Sequence, residues 1–401
     1  MFEQPLKKYC VIDLTNVLSG PFCGHLLAHM GADVIKIEVP GTGDLARQLG
    51  ADPDLNEKKM GVSFLAQNAG KRSLTINLKT AKGKELFKRL VAKADVLIEN
   101  FRPGVMDRLG LGFDDLKLIN TNLVYCAISG FGATGPLRFQ PAYDQIIQGM
   151  SGVMSITGDS SSAPLRVGYP IADTVGGMSA AFAISSVLAG RNGGAGEAVF
   201  IDVSMLASTM STMGWVVSNY LIAGQPPQPM GNDNFTASPS GTFQTGEGLL
   251  NIAANKQEQF VALCDVIGLA ELIGDIRFSE RQTRLQNRHE LKQIIEQAME
   301  SKSALEWEKK LSAAGVPVGL VLSLPEALNH PHLRSRGMIG KFENVPQVGN
   351  VDVFRPGFKL NGLSPQVKSP PPLLGQHTEE LLLELGIDSE EIKTLYLEKV
   401  I

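Results

Sequence analysis

The chain has 401 residues, 43% hydrophobic and 19% charged, with a formal net charge of −4 and a pI near 5.9. This is a globular composition with room for more than one domain. Its acidic balance excludes nucleic acid and anionic membranes as main partners and leaves small ligands, for which local basic clusters suffice. Cys10, Cys23, Cys126 and Cys264 show no C-x-x-C spacing, and MFEQPLKKYCVIDL carries no apolar segment of signal-peptide length. No uninterrupted apolar stretch of spanning length is apparent, so the expectation is a reducing, cytoplasmic setting without a membrane.

In chain order, residues 9–14 (YCVIDL) predict a buried strand, 22–30 a helix closed by Gly31, and 33–38 the next strand. Period-two alternation predicts a strand over 73–78. Thr80 is the expected N-cap of a helix over 81–94, and 95–100 and 123–129 extend the parallel series. Alternating strands and helices predict a doubly wound, Rossmann-like α/β domain. A small-residue helix follows Asp173 to about Ala189, and 196–205 offers a strand leading into a helix. The turn-rich GQPPQPMGNDN (224–234) reads as a linker. Beyond it lie a hairpin pattern (241–254), amphipathic helices between Lys256 and Ala314, and a strand over 316–322, which together predict a smaller α+β domain. The tail 369–386 is a Pro-rich stretch followed by a helix.

Within VGYPIADTVGGMSAAFA (167–183), Asp173 stands at the mouth of an apolar helix whose Met178, Ala181, Phe182, Ser185 and Leu188 share one face. An N-cap role accounts for the carboxylate alone. It does not account for Gly176 and Gly177, each of which weakens a first turn by ~1 kcal/mol relative to alanine and so implies close backbone approach. The loop after the first strand has only Gly20 and Gly24, short of a dinucleotide fingerprint, and no P-loop or H-E-x-x-H occurs. His25, His29, His289, His330, His332 and His377 form no ligand set, and no metal is expected. His25 and His29, one turn apart without an acidic partner, read as packing or surface residues. Basic residues gather near strand ends: Arg47, Lys71, Arg72, Lys79, Arg102 and Arg108. In a doubly wound sheet the ligand crevice lies outside the carboxyl ends of the strands, which makes Arg102 a phosphate candidate. Lys71 and Arg72 read equally well as a solvated pair.

The segments GPFCGHLLAHMGADVIKIEVPGTGD, KRSLTINLK, ADVLIENFRPGVMDRLGLG, GFGATGP, AYDQIIQGMSG, the Asp173 stretch and PPPLLGQHTEELLLELG occur in this order over nearly the whole chain. Together they resemble the family III CoA-transferases. The resemblance implies a large domain from 1–224 and 330–401, a small domain at 225–329, and an interlocked homodimer. It implies Asp173 as nucleophile and Tyr143 near the reacting acyl group. Val17, Leu18, Ser19, Ile76, Asn77, Leu78, Lys79, Asn100, Phe101, Arg102 and Arg108 match CoA-contacting positions. No cofactor is held permanently; the CoA thioester is a substrate, with a small carboxylic acid as acceptor. Arg47 or Arg166 is the expected anchor of a distal carboxylate, because a guanidinium binds one bidentately.

Leu18, Val39 and FTASPSGTF (235–243) depart from the formyl-CoA transferases and point away from formate–oxalate exchange. They point toward succinyl-CoA as donor and a dicarboxylate or sulfur-analogue acceptor. Two other readings stand beside this one. An α-methylacyl-CoA racemase needs a histidine where this chain has Tyr143, whose reference pKa near 10 suits that proton transfer poorly. A non-catalytic CoA-binding subunit would have no use for an intact Asp173 and Tyr143.

Overall fold

The computed structural model describes residues 4–191 and 196–401. The chain divides into two compact units, one of Met1–Val153, Arg166–Gln225 and Arg334–Ile401, the other of Met154–Leu165 and Pro226–Leu333. The division differs from the expected boundary at 224 in placing 154–165 with the second unit. Hydrogen bonding explains the difference, since the Gly231 N–H donates to the Gly158 carbonyl (2.7 Å) and the Leu165 N–H turns back to Met154 and Thr157.

The first unit is built on six parallel strands: β1 (Cys10–Leu14), β2 (Asp33–Glu38), β3 (Lys71–Thr75), β4 (Val96–Glu99), β5 (Val124–Ser129) and β6 (Val199–Ser204). Their order, β3-β2-β1-β4-β5-β6, is that of the dinucleotide-binding folds and reverses direction between β1 and β4. Side chains alternate across the strands, so both faces are covered. On one face Ile12, Leu14, Ile35, Ile37, Leu74 and Leu97 meet the helix Ala81–Val91, capped by Thr80, and the C-terminal helices Thr378–Glu384 and Ser389–Leu397. On the other, Val11, Val34, Val96, Ile98, Val124 and Cys126 meet four further helices.

Those helices are α1 (Ser19–His29), α2 (Asp144–Met150), α3 (Ile171–Gly190) and α4 (Met205–Thr212). By length and composition α3 is long and apolar enough to cross a membrane, although Asp173, Thr174 and three serines interrupt its apolar run. In the fold its Ala172, Ala180, Ala181, Ile184 and Leu188 instead lie in the core cluster shared with the sheet. Gly177 lets α3 settle against α1: a Cβ there would stand 2.4 Å from the Ser19 carbonyl oxygen. The close approach inferred from the glycine pair is thus backbone against helix, with Gly176 facing Met205 of α4.

Two local expectations shift. The third strand begins at Lys71, not at residue 73, because Lys71 is an inward-facing charged residue. An antiparallel hairpin, Ile339–Val345 with Gly349–Phe354, is added, and its Val345, Val351 and Val353 pack with Met60 and Leu65.

The second unit holds a three-stranded antiparallel sheet of Ser240–Gln244, Leu249–Ala253 and Val318–Leu320. Phe243, Leu250 and Ile252 pack with Phe260, Leu291 and Trp307 from the helices Gln257–Ile267, Arg288–Met299 and Ala304–Ala313.

Gly177→Ala sets a methyl against a backbone carbonyl that cannot rotate away. It is expected to destabilise the protein by roughly 1–3 kcal/mol and to depress activity as α1 and α3 move apart. Urea unfolding with a parallel activity assay checks both; an unchanged midpoint would refute the account of this packing.

Candidate active site

Asp173 is not the N-cap of α3. The cap position is Pro170, which offers no side-chain acceptor, and Asp173 lies in the first turn. Its half-buried carboxylate has no hydrogen-bond partner among the described residues. The capping acceptor comes from another element, since Asp144 of α2 receives the Ala172 N–H on Oδ1 at 2.9 Å. Asp144 Oδ2 accepts from Gln148 Nε2 (2.7 Å), and Gln148 Oε1 accepts from the Val167 N–H (2.9 Å). One amide and one carboxylate thereby fix the segment that leads into α3. Burial pushes the Asp173 carboxyl up, the Asp144 charge adds to this, and its pKa stands at about 7.

Four residues along a helix return to the same face, so Asp173 lies above Gly177 on the side that meets Ser19. That contact brings the first turn of α3 to the loop after β1. The loop is held from below by a buried charge network. Lys71 Nζ pairs with Asp13 Oδ2 (2.7 Å), Lys36 Nζ with Asp44 Oδ2 (2.9 Å), and Arg47 with Glu38 through Nε (2.6 Å) and Nη2 (2.7 Å). Lys36 also donates to the Thr15 carbonyl, and Asp44 Oδ1 accepts the Val17 N–H at 2.9 Å. Val17 itself has a φ of 67°, a left-handed conformation unfavourable for a β-branched residue, which the Asp44 bond sustains. Burial opposes the charge on Asp13 and Asp44, yet their lysine neighbours hold both carboxyls below the usual range.

The structure joins the loop to the next expected CoA segment through a reciprocal amide pair. Asn100 Oδ1 accepts the Asn16 N–H and Asn100 Nδ2 donates to the Asn16 carbonyl, both at 2.8 Å, while Ser19 Oγ lies 3.4 Å from Nδ2. Val17, Leu18, Ser19 and Asn100 are therefore one assembly. Phe101 and Arg102 line a cavity of about 510 Å³, with the Phe101 N–H on Glu99 Oε2. Arg108 is exposed in the last turn of the short helix Val105–Leu109. Ile76 is buried in the core below the sheet end, Leu78 packs against that core, Asn77 donates its N–H to the Val400 carbonyl, and Lys79 is exposed. Tyr143 directly precedes α2 with its ring in solvent, next to Asp144.

Arg47 requires correction. It is fully buried, bidentate to Glu38, donates to the Pro372 carbonyl and stacks 3.6 Å from the Phe64 ring centroid, so it has no face for a substrate. Lys71 and Arg72 are likewise no solvated pair, for Lys71 is buried on Asp13 and Arg72 bridges Asp33, Glu380 and Glu384. Arg166 is half-exposed, its Nε 3.8 Å from Asp144 Oδ2. The sequence pattern did not single out Asp144 and Gln148, although their i, i+4 spacing beside Tyr143 is visible in it.

The profile of CoA-transferase family III matches residues 6–378. The chain belongs to this family. It is 34% identical over 401 residues to the succinyl-CoA:glutarate CoA-transferase of Mus musculus, covering 99% of this chain and 90% of that protein. It is 41% identical over 349 residues to the acetyl-CoA:oxalate CoA-transferase of Acetobacter aceti, covering 87% and 88%. The crystal structure of a CAIB/BAIF family protein from Brucella suis superposes with a TM-score of 0.83 at 34% identity, over 96% of this chain and all of that one. This CoA-transferase thus carries an unliganded carboxylate in the first turn of α3, beside the loop after β1.

The Asp173 carboxyl titrates at about 7 in the fold, against 3.8 for an ordinary aspartate, so the folded state holds a proton that the unfolded chain releases between these values. Stability of the wild type therefore falls relative to Asp173→Asn as pH rises through that window. Above it the variant is expected to be more stable by roughly 1–3 kcal/mol, with no difference below pH ~4. In Asp144→Asn the rising limb of the pH–rate profile is expected to move to lower pH, because the repelling charge is gone. Denaturant melts across pH and kcat/KM profiles check these outcomes; a variant uniformly less stable than wild type would return Asp173 to a structural role.

Proposed function

We propose that this CoA-transferase moves CoA from succinyl-CoA to a small dicarboxylate, with Asp173 as the covalent nucleophile. The observation that carries the reading is the unliganded Asp173 carboxylate on the α3 face that meets Ser19. In the first step an Asp173 oxygen attacks the thioester carbonyl, the C–S bond breaks, and a mixed anhydride forms with CoA leaving as thiolate. The thiolate attacks the Asp173 acyl carbon, releases succinate and leaves an aspartyl-CoA thioester. The acceptor carboxylate then displaces CoA to form a second anhydride, whose acceptor acyl carbon takes the thiolate and frees Asp173. No proton transfer is required in this sequence. It needs Asp173 ionised, so the rate rises with pH toward about 7.

The N-terminal N–H groups of α3 supply positive potential for the charge that develops at the attacked carbonyl. Val17–Ser19, Ile76–Lys79 and Asn100–Arg102 would carry the CoA chain, with Arg108 on a phosphate. Arg166 is the remaining candidate for the distal carboxylate. Its guanidinium is half-exposed and within 3.8 Å of Asp144, next to the start of α3. Oxalate as acceptor is the second reading, favoured by the 41% identity to the Acetobacter aceti protein.

Succinyl-CoA followed by hydroxylamine is expected to inactivate the enzyme and convert Asp173 to its hydroxamate, seen by peptide mass; hydroxylamine alone does neither. A panel of glutarate, other small dicarboxylates, oxalate and formate is expected to show the longer dicarboxylates preferred. Absence of the hydroxamate would remove the nucleophile assignment, and a preference for oxalate would install the second reading.

A homodimer is part of the proposal. The helix Gly214–Ala223 has no buried residue, although Trp215, Leu221 and Ile222 are apolar and at least 75% exposed. A second copy would cover such a face. Sedimentation at micromolar concentration is expected to show a dimer that dilution and moderate salt leave intact, whereas a monomer would exclude it.

A further inference from the structure

His25 and His29 play no part in the transfer chemistry, yet both are buried, with ring centroids 4.1 Å apart. His29 Nδ1 lies 2.9 Å from the His25 carbonyl oxygen. A carbonyl only accepts, so Nδ1 carries the proton and Nε2 is left as the free ring nitrogen. His29 lines a cavity of about 200 Å³ in the first unit, between the end of α1, the hairpin and the segment 366–368. Arg355, Lys341 and Lys368 line it too, with Gln366 as a neutral donor, and no carboxylate does. The Arg355 guanidinium lies across Gly340, where a Cβ would come within 3.1 Å of Nε, and its Nη1 is fixed on the Gly337 carbonyl at 3.0 Å. Among the described residues no carboxylate forms an ion pair with Arg355, Lys341 or Lys368.

We propose that this cavity binds a small tetrahedral oxyanion of the phosphate class, held by Arg355, Lys368 and a His29 that takes up one proton when the anion arrives. The histidine hydrogen bond leaves Nε2 as the ring nitrogen available to an anion, and it can donate only once protonated. A neutral Nε2 has only a lone pair to offer and repels an anion, whereas protonated Nε2 donates to it. Several groups bear on His29: His25 on its own helix, buried Lys71 of β3, and Arg355, Lys341 and Lys368 around the cavity. Burial, Arg355 and Lys71 hold its pKa below the ordinary histidine range before the anion enters. Asp352 is paired across the hairpin with Lys341 in register but does not line the cavity. The anion supplies the missing negative charge, and binding and protonation are thereby linked.

Sulfate is the probe, because its charge does not change between pH 6 and 8. Calorimetric titration of the intact protein is expected to show one saturable site that weakens by up to about tenfold per pH unit over this range. Buffers of different ionisation enthalpy are expected to report uptake of one proton per sulfate. Inorganic phosphate is expected to compete at the same site. Arg355→Gln is expected to weaken binding at least tenfold with the pH slope kept. His29→Gln is expected to abolish the slope, with a thermal melt confirming the fold. Should His29→Gln fail to fold, Arg355→Gln and Lys368→Gln with the wild-type proton count decide the matter. No saturable binding, binding without proton uptake, or equal displacement by chloride at matched ionic strength would overturn the proposal.

Discussion

Three cations and three carboxylates are buried together beneath the loop after β1, and the placement of that loop depends on them. Asp13, Lys36, Glu38, Asp44, Arg47 and Lys71 are each 5% exposed or less. Such groups are expensive to desolvate, and removing one partner typically costs about 3–5 kcal/mol because the other is left uncompensated. The network is balanced and directed. Lys36 holds the Thr15 carbonyl and Asp44 the Val17 N–H, so the charges fix the backbone of a loop that carries little apolar anchoring of its own. Hydrophobic packing alone would tolerate several positions of that loop; paired ions with satisfied hydrogen bonds tolerate few.

The same economy of side chains sets Asp173 apart. The groups that fix the segment before Asp173 have partners: Asp144 has Ala172 and Gln148, and Gln148 also has Val167 and Tyr169. The Asp173 carboxylate has none among the described residues, and burial together with the neighbouring Asp144 charge raises its pKa. A carboxylate gripped by hydrogen bonds would be stable and a poor nucleophile. One that is ordered by its helix and ungripped at its oxygens is positioned without being stabilised.

Much of this fold was legible in the sequence where the pattern was local. The strands at 9–14, 33–38 and 123–129 followed from apolar runs, and the helix after Thr80 from its cap. Asp173 stood out because its flanking glycines had no local purpose. What sequence reasoning missed depended on partners distant in the chain. Lys71 read as a solvated charge and Arg47 as a substrate anchor because Asp13 and Glu38, which neutralise them, lie 58 and 9 residues away and meet them only in the fold. The capping of α3 by Asp144 spans 28 residues and leaves no local mark beyond the Asp144–Gln148 spacing. The hairpin at 339–354 alternates plainly enough, yet its buried face is defined by Met60 and Leu65, nearly three hundred positions earlier.

The trans-cap on α3 bears on how such an enzyme can be taken apart. A helix whose leading N–H is satisfied by its own cap is a portable module; this one borrows its acceptor from a segment separated from it by an excursion through the second unit. Grafting residues 167–190 onto another scaffold would transplant the carboxylate without the acceptor that completes its helix. A recombination breakpoint between 148 and 167 would separate the two whenever the parents differ at Asp144 or Gln148. Chimeras in this family should therefore be cut before the AYDQ segment or after α3, so that cap and helix are inherited from one parent.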